Sequence, residues 1–454
     1  MILLVQQSSN KHNQQWLFQD APVWQAIFRM AIPAMISMMV VLLYNMADMF
    51  FVGQIGNNAQ VAAVSVVSPI FTLTMAMGSL LGGGGSTVIA RTLGKQDTEK
   101  VKLYSSLCCW ASLFFGGVFG MVLLIGSEQV LQLLGANAEI WNYAHTYMSI
   151  LALGAPVMIF TSAYGNIIRS EGAVRQSMIG NLLSTFTNIL LDPIFILVMK
   201  MGVGGAAAAT VIGNMVGALY IIRYVRKGNT SLSFALNDAR KKPSEIGLIL
   251  VTGLPNATSN TLTSIASAVA NNLLIPYGTV AVAAHAASGK STMMISMIQM
   301  GLCMGVQPLM AYNYGAQNMK RLQEIIRKIA VLTLSVGVGL MLFCSFNSRF
   351  VINLFLKDPA ALELGQRMIH LRVLTGPFLG LFYISTNFLQ ASGKSKMATF
   401  VSLLRQGILL LPLLFIMNRL FGVTGNICAH IAADIGAACI GVKLAVRQYR
   451  TQSA

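Results

Sequence analysis

Charge is scarce in this chain, and acid is scarcest. Of 454 residues only 14 are Asp or Glu, 31 are Lys or Arg, and charged residues make up 10% of the total. A soluble domain carries about 25%. Whole stretches lack any Asp, Glu, Lys or Arg: 49–90, 103–127, 140–168 and 246–289. A helix needs ~20 apolar residues to cross a bilayer, so the longest of these must hold parts of two spans. With 55% hydrophobic residues and a mean hydropathy of +0.67, a water-soluble globule is excluded and a polytopic helical membrane protein expected. Cysteine is sparse too. Residues 108, 109, 303, 344, 428 and 439 lie in apolar segments without metal-ligand spacing, so they read as small buried hydrophobes, neither a disulfide framework nor a metal site. Residues 1–23 hold a short apolar start and then polar sequence, too little for the core of a signal peptide.

The net charge of +17 invites a nucleic-acid reading, but the bases are in the wrong places for it. They cluster in alternate connections: Arg91, Lys95, Lys100 and Lys102; Arg169 and Arg175; residues 226–242; Lys320, Arg321, Arg327 and Lys328; Lys394 and Lys396; and residues 443–450. The intervening connections at 53–60, 127–138 and 276–279 have none. That alternation is the positive-inside pattern, with both termini cytoplasmic. Arg349, Lys357 and Arg367 break it in one connection. A bacterial inner membrane is the expected location, without a nucleic-acid partner and as a monomer.

The chain is written twice. Gly94-x-Gln96-Asp97 returns as Gly315-x-Gln317-Asn318, Ala155-Pro156 as Gly376-Pro377, and Arg169-x-x-Gly172 as Gln390-x-x-Gly393, each shifted by 221. Pro33 finds Pro255 at 222, and Gly202-Val203-x-Gly205 finds Gly422-Val423-x-Gly425 at 220. So small a drift marks duplication of one folding unit, at a period too long for a solenoid. Breaking the apolar runs at polar connections gives about twelve spans, six per copy. Six is even, so both copies enter the membrane in the same direction. The expected fold is all-α: twelve transmembrane helices in two six-helix bundles, related by a pseudo-two-fold axis along the membrane normal. The boundaries read as a cytoplasmic segment 1–23, a first lobe 24–227, a polar linker 228–244, a second lobe 245–447 and a tail 448–454. Substrate sites in such carriers lie near the midplane.

Eleven of the acids fall at connections, span ends or near the amino terminus; Asp48, Asp192 and Asp434 do not. A carboxylate at the bilayer centre costs ~2.5–3.5 kcal/mol on insertion scales. Such a group can take a proton on one side of the membrane and release it on the other. Asn188 stands one helical turn before Asp192, on the same face. Asn166 and Thr210, on neighbouring spans, each have an oxygen to offer. These donors suit a proton relay or a small hard cation such as sodium. Singly, Asn188 and Thr210 would read as cross-helix hydrogen bonds; with two acids the set reads as ion handling. Pro193 adds to it, because its ring frees the carbonyl of Ile189, between Asn188 and Asp192. The second copy lacks the acids: Leu413 matches Asp192, and Asp48 falls against Ala270 or Asn271. Asp434 matches Asn214 at 220 and reads either as a second titrating site or as half of an ion pair.

The duplicated halves, Asp48 followed by Val52-Gly53, Asn166-x-x-Arg169-x-x-Gly172, and Asn188-Ile189-x-x-Asp192-Pro193-Ile194-Phe195 resemble the multidrug and toxic compound extrusion (MATE) family over about residues 20–445. The resemblance implies an antiporter, not an enzyme, that expels cationic or amphipathic drugs against inward protons or sodium and needs no cofactor. It implies coupling acids at Asp48 and Asp192, a surrounding network of Asn188, Asn166 and Thr210, and a tyrosine beside it at Tyr147. Members with acids in helices seven and ten are not matched here. A lipid-linked oligosaccharide flippase of the same wider superfamily is the alternative. It would want a cationic cavity, for which Lys290 and Arg405 are the candidates; snorkelling is their other reading.

Several patterns carry less. Ala284-x-x-x-x-Gly289-Lys290-Ser291 fits a loose phosphate-loop spacing but sits inside an apolar span, without the strand, loop and helix start that chemistry needs. The glycines at 82–85 and 213–217 suit close helix packing. His285 and His430 have no second ligand at helical spacing. The 27 methionines pack, or supply an adaptable pocket. An intramembrane aspartyl protease would show Gly-x-Gly-Asp, which neither Asp48 nor Asp192 has.

Overall fold

The computed structural model describes residues 16–55, 57–228, 230–353 and 359–453. Helices account for nearly all of them, and no strand occurs among the described residues. The first copy supplies α1 (Val23–Gly53), α2 (Asn58–Gly94), α3 (Thr98–Ile125), α4 (Trp141–Ile167), α5 (Val174–Pro193) and α6 (Gly202–Arg226). The second supplies α7 (Ile246–Leu274), α8 (Thr279–Gly315) and α9 (Met319–Phe346). A split span follows, α10 (Pro359–Arg372) and α11 (Gly376–Ala391), then α12 (Ser395–Leu403) and α13 (Leu410–Ser453). Among the described residues, ten stretches are long and apolar enough to cross a membrane. α7, 29 residues long, is diluted by Asn, Thr and Ser. The stretch over residues 395–451 holds two spans, because Gly422 breaks α13 with φ 58° and ψ −136°. The fold is thus the expected all-helical bundle of twelve spans.

The repeat survives in backbone detail. Gln96 and Gln317 both take left-handed φ (60° and 56°), as do Gly172 and Gly393 (85° and 77°) and Gly202 and Gly422 (57° and 58°). Each Gln precedes a side-chain cap: Asp97 accepts from the backbone N–H of Lys100 at 3.1 Å, and Asn318 from that of Arg321 at 3.2 Å. These oxygens satisfy donors that a helix start leaves free, so each copy turns from its second span into its third in the same way.

Two compact units form; one boundary lies between Ala21 and Pro22, and the other two fall inside helices, between Met38 and Met39 in α1 and between Gly253 and Leu254 in α7. In the first unit, residues 39–253 with the described residues before Pro22, the start of α7 lies against α2. A Cβ on Gly253 would strike the carbonyl of Leu80, and one on Gly84 the carbonyl of Ile249. In the second unit the start of α1 lies against α8: a Cβ on Gly305 would come within 2.6 Å of the Met30 carbonyl, and one on Gly301 within 2.7 Å of Met35 Cα. Small residues let membrane helices approach this closely. Gly84 and Gly305 are repeat equivalents, 221 apart.

The segment read as a polar linker, 228–244, is packed. Leu232 and Ala239 are buried in the core of the first unit with α3. Trp110 Nε1 donates to the Phe234 carbonyl at 3.1 Å, and the Ser233 N–H donates to Ser105 Oγ at 2.9 Å. Buried Glu171 accepts from Tyr224 at 2.9 Å, Thr230 at 2.6 Å and the Ser231 N–H at 3.1 Å.

Candidate functional site

The first unit gathers its polar groups at one depth. Tyr44 and Asp48 lie late in α1, Tyr147 early in α4, Asn188 and Asp192 late in α5, and Thr210 early in α6. Successive spans run in opposite directions, so late positions in odd helices meet early positions in even ones, on the side away from the basic connections. Thr210, eight residues into α6, is about 12 Å below that end.

Two hydrogen bonds tie three helices together. Asn188 Nδ2 donates to Thr210 Oγ1 at 3.2 Å, and the Tyr44 and Thr210 hydroxyls are 3.4 Å apart. Asn188, Asp192, Thr210 and Tyr147 are all buried, and Asp192 has no exposed surface. Asp48 is part-buried. Asp48 and Asp192 lie near one another and near the Tyr44 and Tyr147 side chains. Around them Val52, Ala63, Val67, Met148 and Val203 form an apolar wall with Tyr147.

The oxygens left over define what the site can do. Both carboxyl oxygens of Asp192, Oδ1 of Asp48 and Oδ1 of Asn188 are buried without a hydrogen-bond partner among the described residues. An ionised carboxylate so placed is strongly disfavoured unless something compensates it. A proton would neutralise one carboxyl and give it a donor; a hard cation would collect several of these oxygens. α5 ends at Pro193, and the next turn, Ile194–Val198, is a π-helix. Such turns occur where helices carry functional groups, and this one directly follows Asp192.

Asn166 is not brought into the cluster. Its Oδ1 accepts from Arg169 Nη2 at 2.7 Å, its Nδ2 donates to the Ser162 carbonyl at 2.9 Å, and none of its hydrogen bonds reaches Asp48, Asn188, Asp192 or Thr210. The reason is depth: Asn166 lies 19 residues after Tyr147 in the sequence, about 28 Å along a helix. With Arg169 it belongs to the opposite end, beside the turn at Gly172.

The second unit holds a different polar set. Arg405 Nε donates to Asp434 Oδ1 at 2.7 Å, and its guanidinium lies 4.7 Å from the centroid of the Phe382 ring. Asp434 is therefore half of an ion pair, and Arg405 is spent on it; neither snorkelling nor open cavity lining describes Arg405. Lys290 is exposed. The phosphate-loop pattern around it is continuous helix within α8. Arg372 and the two histidines nearby were not picked out as a set by sequence reading. The available signal was that His430 stands at the repeat position of Thr210, 220 residues on.

Comparison with known proteins gives a consistent result. The MatE family model matches residues 33–194 and again 255–416, reproducing the duplication. The multidrug export protein MepA of Staphylococcus aureus strain NCTC 8325 is 32% identical over 427 residues, covering 93% of this chain and 94% of that protein. MepA of Staphylococcus saprophyticus is 31% identical over 425 residues, with the same coverage. Among solved structures, an outward-facing multidrug resistance MATE family transporter of the MOP superfamily superposes with a TM-score of 0.91 at 24% identity, over 96% of this chain and 98% of that one. A MOP superfamily transporter from Pyrococcus furiosus gives 0.88 at 25% identity, over 97% and 98%.

Proposed function

Because this chain belongs to the MATE family of membrane transporters, we propose that it exports cationic or amphipathic organic compounds in exchange for an inward proton or sodium ion, by alternating access. The two relatives above are named as multidrug export proteins, which supports the substrate class. The chain is not an enzyme. Asp192 and Asp48 carry the ion, Asn188 and Thr210 supply further oxygens and hold the cluster together, and Tyr44 and Tyr147 close it from α1 and α4. Asn166, joined to Arg169, steadies the α4–α5 turn on the basic side. The alternation of basic connections supports a bacterial inner membrane location with both termini on the cytoplasmic side.

The observation that carries this reading is Asp192, fully buried with neither carboxyl oxygen partnered among the described residues. Such a group needs a mobile positive charge. Its arrival and departure change what α5 and α1 must accommodate, and one helix set can thereby favour two conformations in turn. One charge entering down ~100 mV supplies ~2.3 kcal/mol, so the membrane potential alone supports a modest substrate gradient, and the chemical gradient of the ion adds to it.

The test is efflux in everted membrane vesicles, with a pH gradient and a sodium gradient imposed separately and a lipophilic cationic dye as substrate. One of the two gradients is expected to drive dye accumulation. Accumulation under neither would overturn ion exchange as the mechanism.

A further inference from the structure

The second unit contains a buried guanidinium that no acid pairs. Arg372 ends α10, is only 8% exposed, and takes part in none of the ion pairs among the described residues. The nearby carboxylate, Asp434, is held by Arg405 at 2.7 Å. Arg372 Nη2 lies 2.9 Å from Nε2 and 3.2 Å from Nδ1 of His285, an imidazole that is itself buried. The Arg372 Nε–H is buried with no acceptor. His430, with its ring 6.2 Å from that of His285, also has an unpartnered buried Nε2. His430 as a residue is only part-buried.

The surroundings are built to hold this cation. α8, α10 and α13 meet through Ala284, Met368 and Ile427. Gly289 leaves room for the guanidinium: a Cβ there would come within 2.8 Å of Arg372 Nη1. The cluster also occupies a repeat-related place. His430 stands where the first copy has Thr210, and Met368 where it has Tyr147, so acids and bases line equivalent depths of the two copies. A buried charge left without a partner is strongly destabilising, and a guanidinium fork is shaped to receive a carboxylate.

We propose that Arg372, His285 and His430 form a binding site for a single anionic group, either the carboxylate of a substrate or a small inorganic anion. The occupant accepts from the free Nε–H of Arg372 and from His430, and supplies the ion pair that Arg372 does not make with Asp434. A transporter with this site takes zwitterionic amphiphiles as well as simple cations, which extends the function proposed above and rests on that reading for its biological use.

Binding of benzoate and of benzamide, its uncharged isostere, is measured by calorimetry on the full chain purified in chloride-free neutral detergent. Benzoate is expected to bind at least about tenfold more tightly, as one charge-assisted hydrogen bond implies, and Arg372→Gln to abolish the difference. If Arg372→Gln does not give a monodisperse protein, His285→Leu, which removes the imidazole that positions the guanidinium, is expected to reduce the preference severalfold. Displacement of benzoate by chloride identifies a small inorganic anion as able to occupy the site. Failure of chloride to displace it identifies the carboxylate. Equal affinity for benzoate and benzamide, or a preference unchanged in both variants, overturns the proposal. The measurement reads binding without transport, so its failure is distinct from a failure of ion coupling.

Discussion

Two aspartates of this protein sit deep in their bundles under opposite circumstances. Asp434 has Arg405 at 2.7 Å; Asp192 has no hydrogen-bond partner for either oxygen among the described residues. The first is held in an ion pair; the second, in the function proposed above, receives a mobile ion. The fixed pair gives a direct test of that distinction. Arg405→Met strands the Asp434 carboxylate and is expected to cost ~3–5 kcal/mol, while combining it with Asp434→Leu recovers most of the loss, since apolar replacement of a whole buried pair is often neutral. Thermal unfolding of the detergent-purified variants reads both. Thr210→Val removes the hydroxyl shared by Tyr44 and Asn188. It should cost about 1–3 kcal/mol through the unmade buried hydrogen bonds and slow transport, whereas Thr210→Ser should retain both stability and rate.

At the scale of elements, glycine decides where helices meet. Gly84→Ala and Gly253→Ala each push a methyl into a backbone carbonyl that no side-chain rotation can move. A loss of about 1–3 kcal/mol is expected for either, seen as a lower unfolding temperature, while Gly117→Ala, which meets nothing within 4 Å, should be neutral or slightly stabilising. The matched caps differ in pH response. The backbone N–H of Lys100 holds the Asp97 carboxyl below the usual range. That contribution is therefore complete above the unfolded value of about 4 and fades as pH falls through the lower folded value. Asn318 does not titrate. Hydrogen exchange should show protection of the Lys100 amide falling in acid while that of the Arg321 amide holds.

The sequence made much of this legible, and the reasons differ by element. The repeat was visible because turns need particular residues: Gly at Gly172 and Gly393, and a short side-chain acceptor at Asp97 and Asn318. The pairing of Asn188 with Thr210 was accessible because both polar groups interrupt apolar helices. Asn166 was harder to place, since adjacency of spans says nothing of depth, and α4 carries it to the far end. The packing of 228–244 was hidden because its burial rests on a few apolar residues, Leu232, Phe234 and Ala239, in a stretch too short and too polar to show a helical period. The π-turns at Ile194–Val198 and Leu404–Leu409 leave no signature in composition. Both nonetheless border or contain a buried charge, Asp192 and Arg405.

At the scale of the whole molecule, duplication built a frame and divergence divided its chemistry. Gly84 and Gly305, Gly202 and Gly422, and Gln96 and Gln317 preserve the backbone in both copies. Thr210 against His430, and Asp192 against Leu413, show where the copies differ. In the function proposed above, this asymmetry of charge lets one unit exchange an ion while the other meets a different group. The coupling claim is tested most directly by Asp192→Asn in proteoliposomes, with wild type and variant reconstituted at equal, verified levels and a lipophilic cationic dye followed under an imposed ion gradient. Wild type should accumulate dye against its gradient, and the variant should only equilibrate it. Uphill accumulation by Asp192→Asn at the wild-type rate would contradict the account.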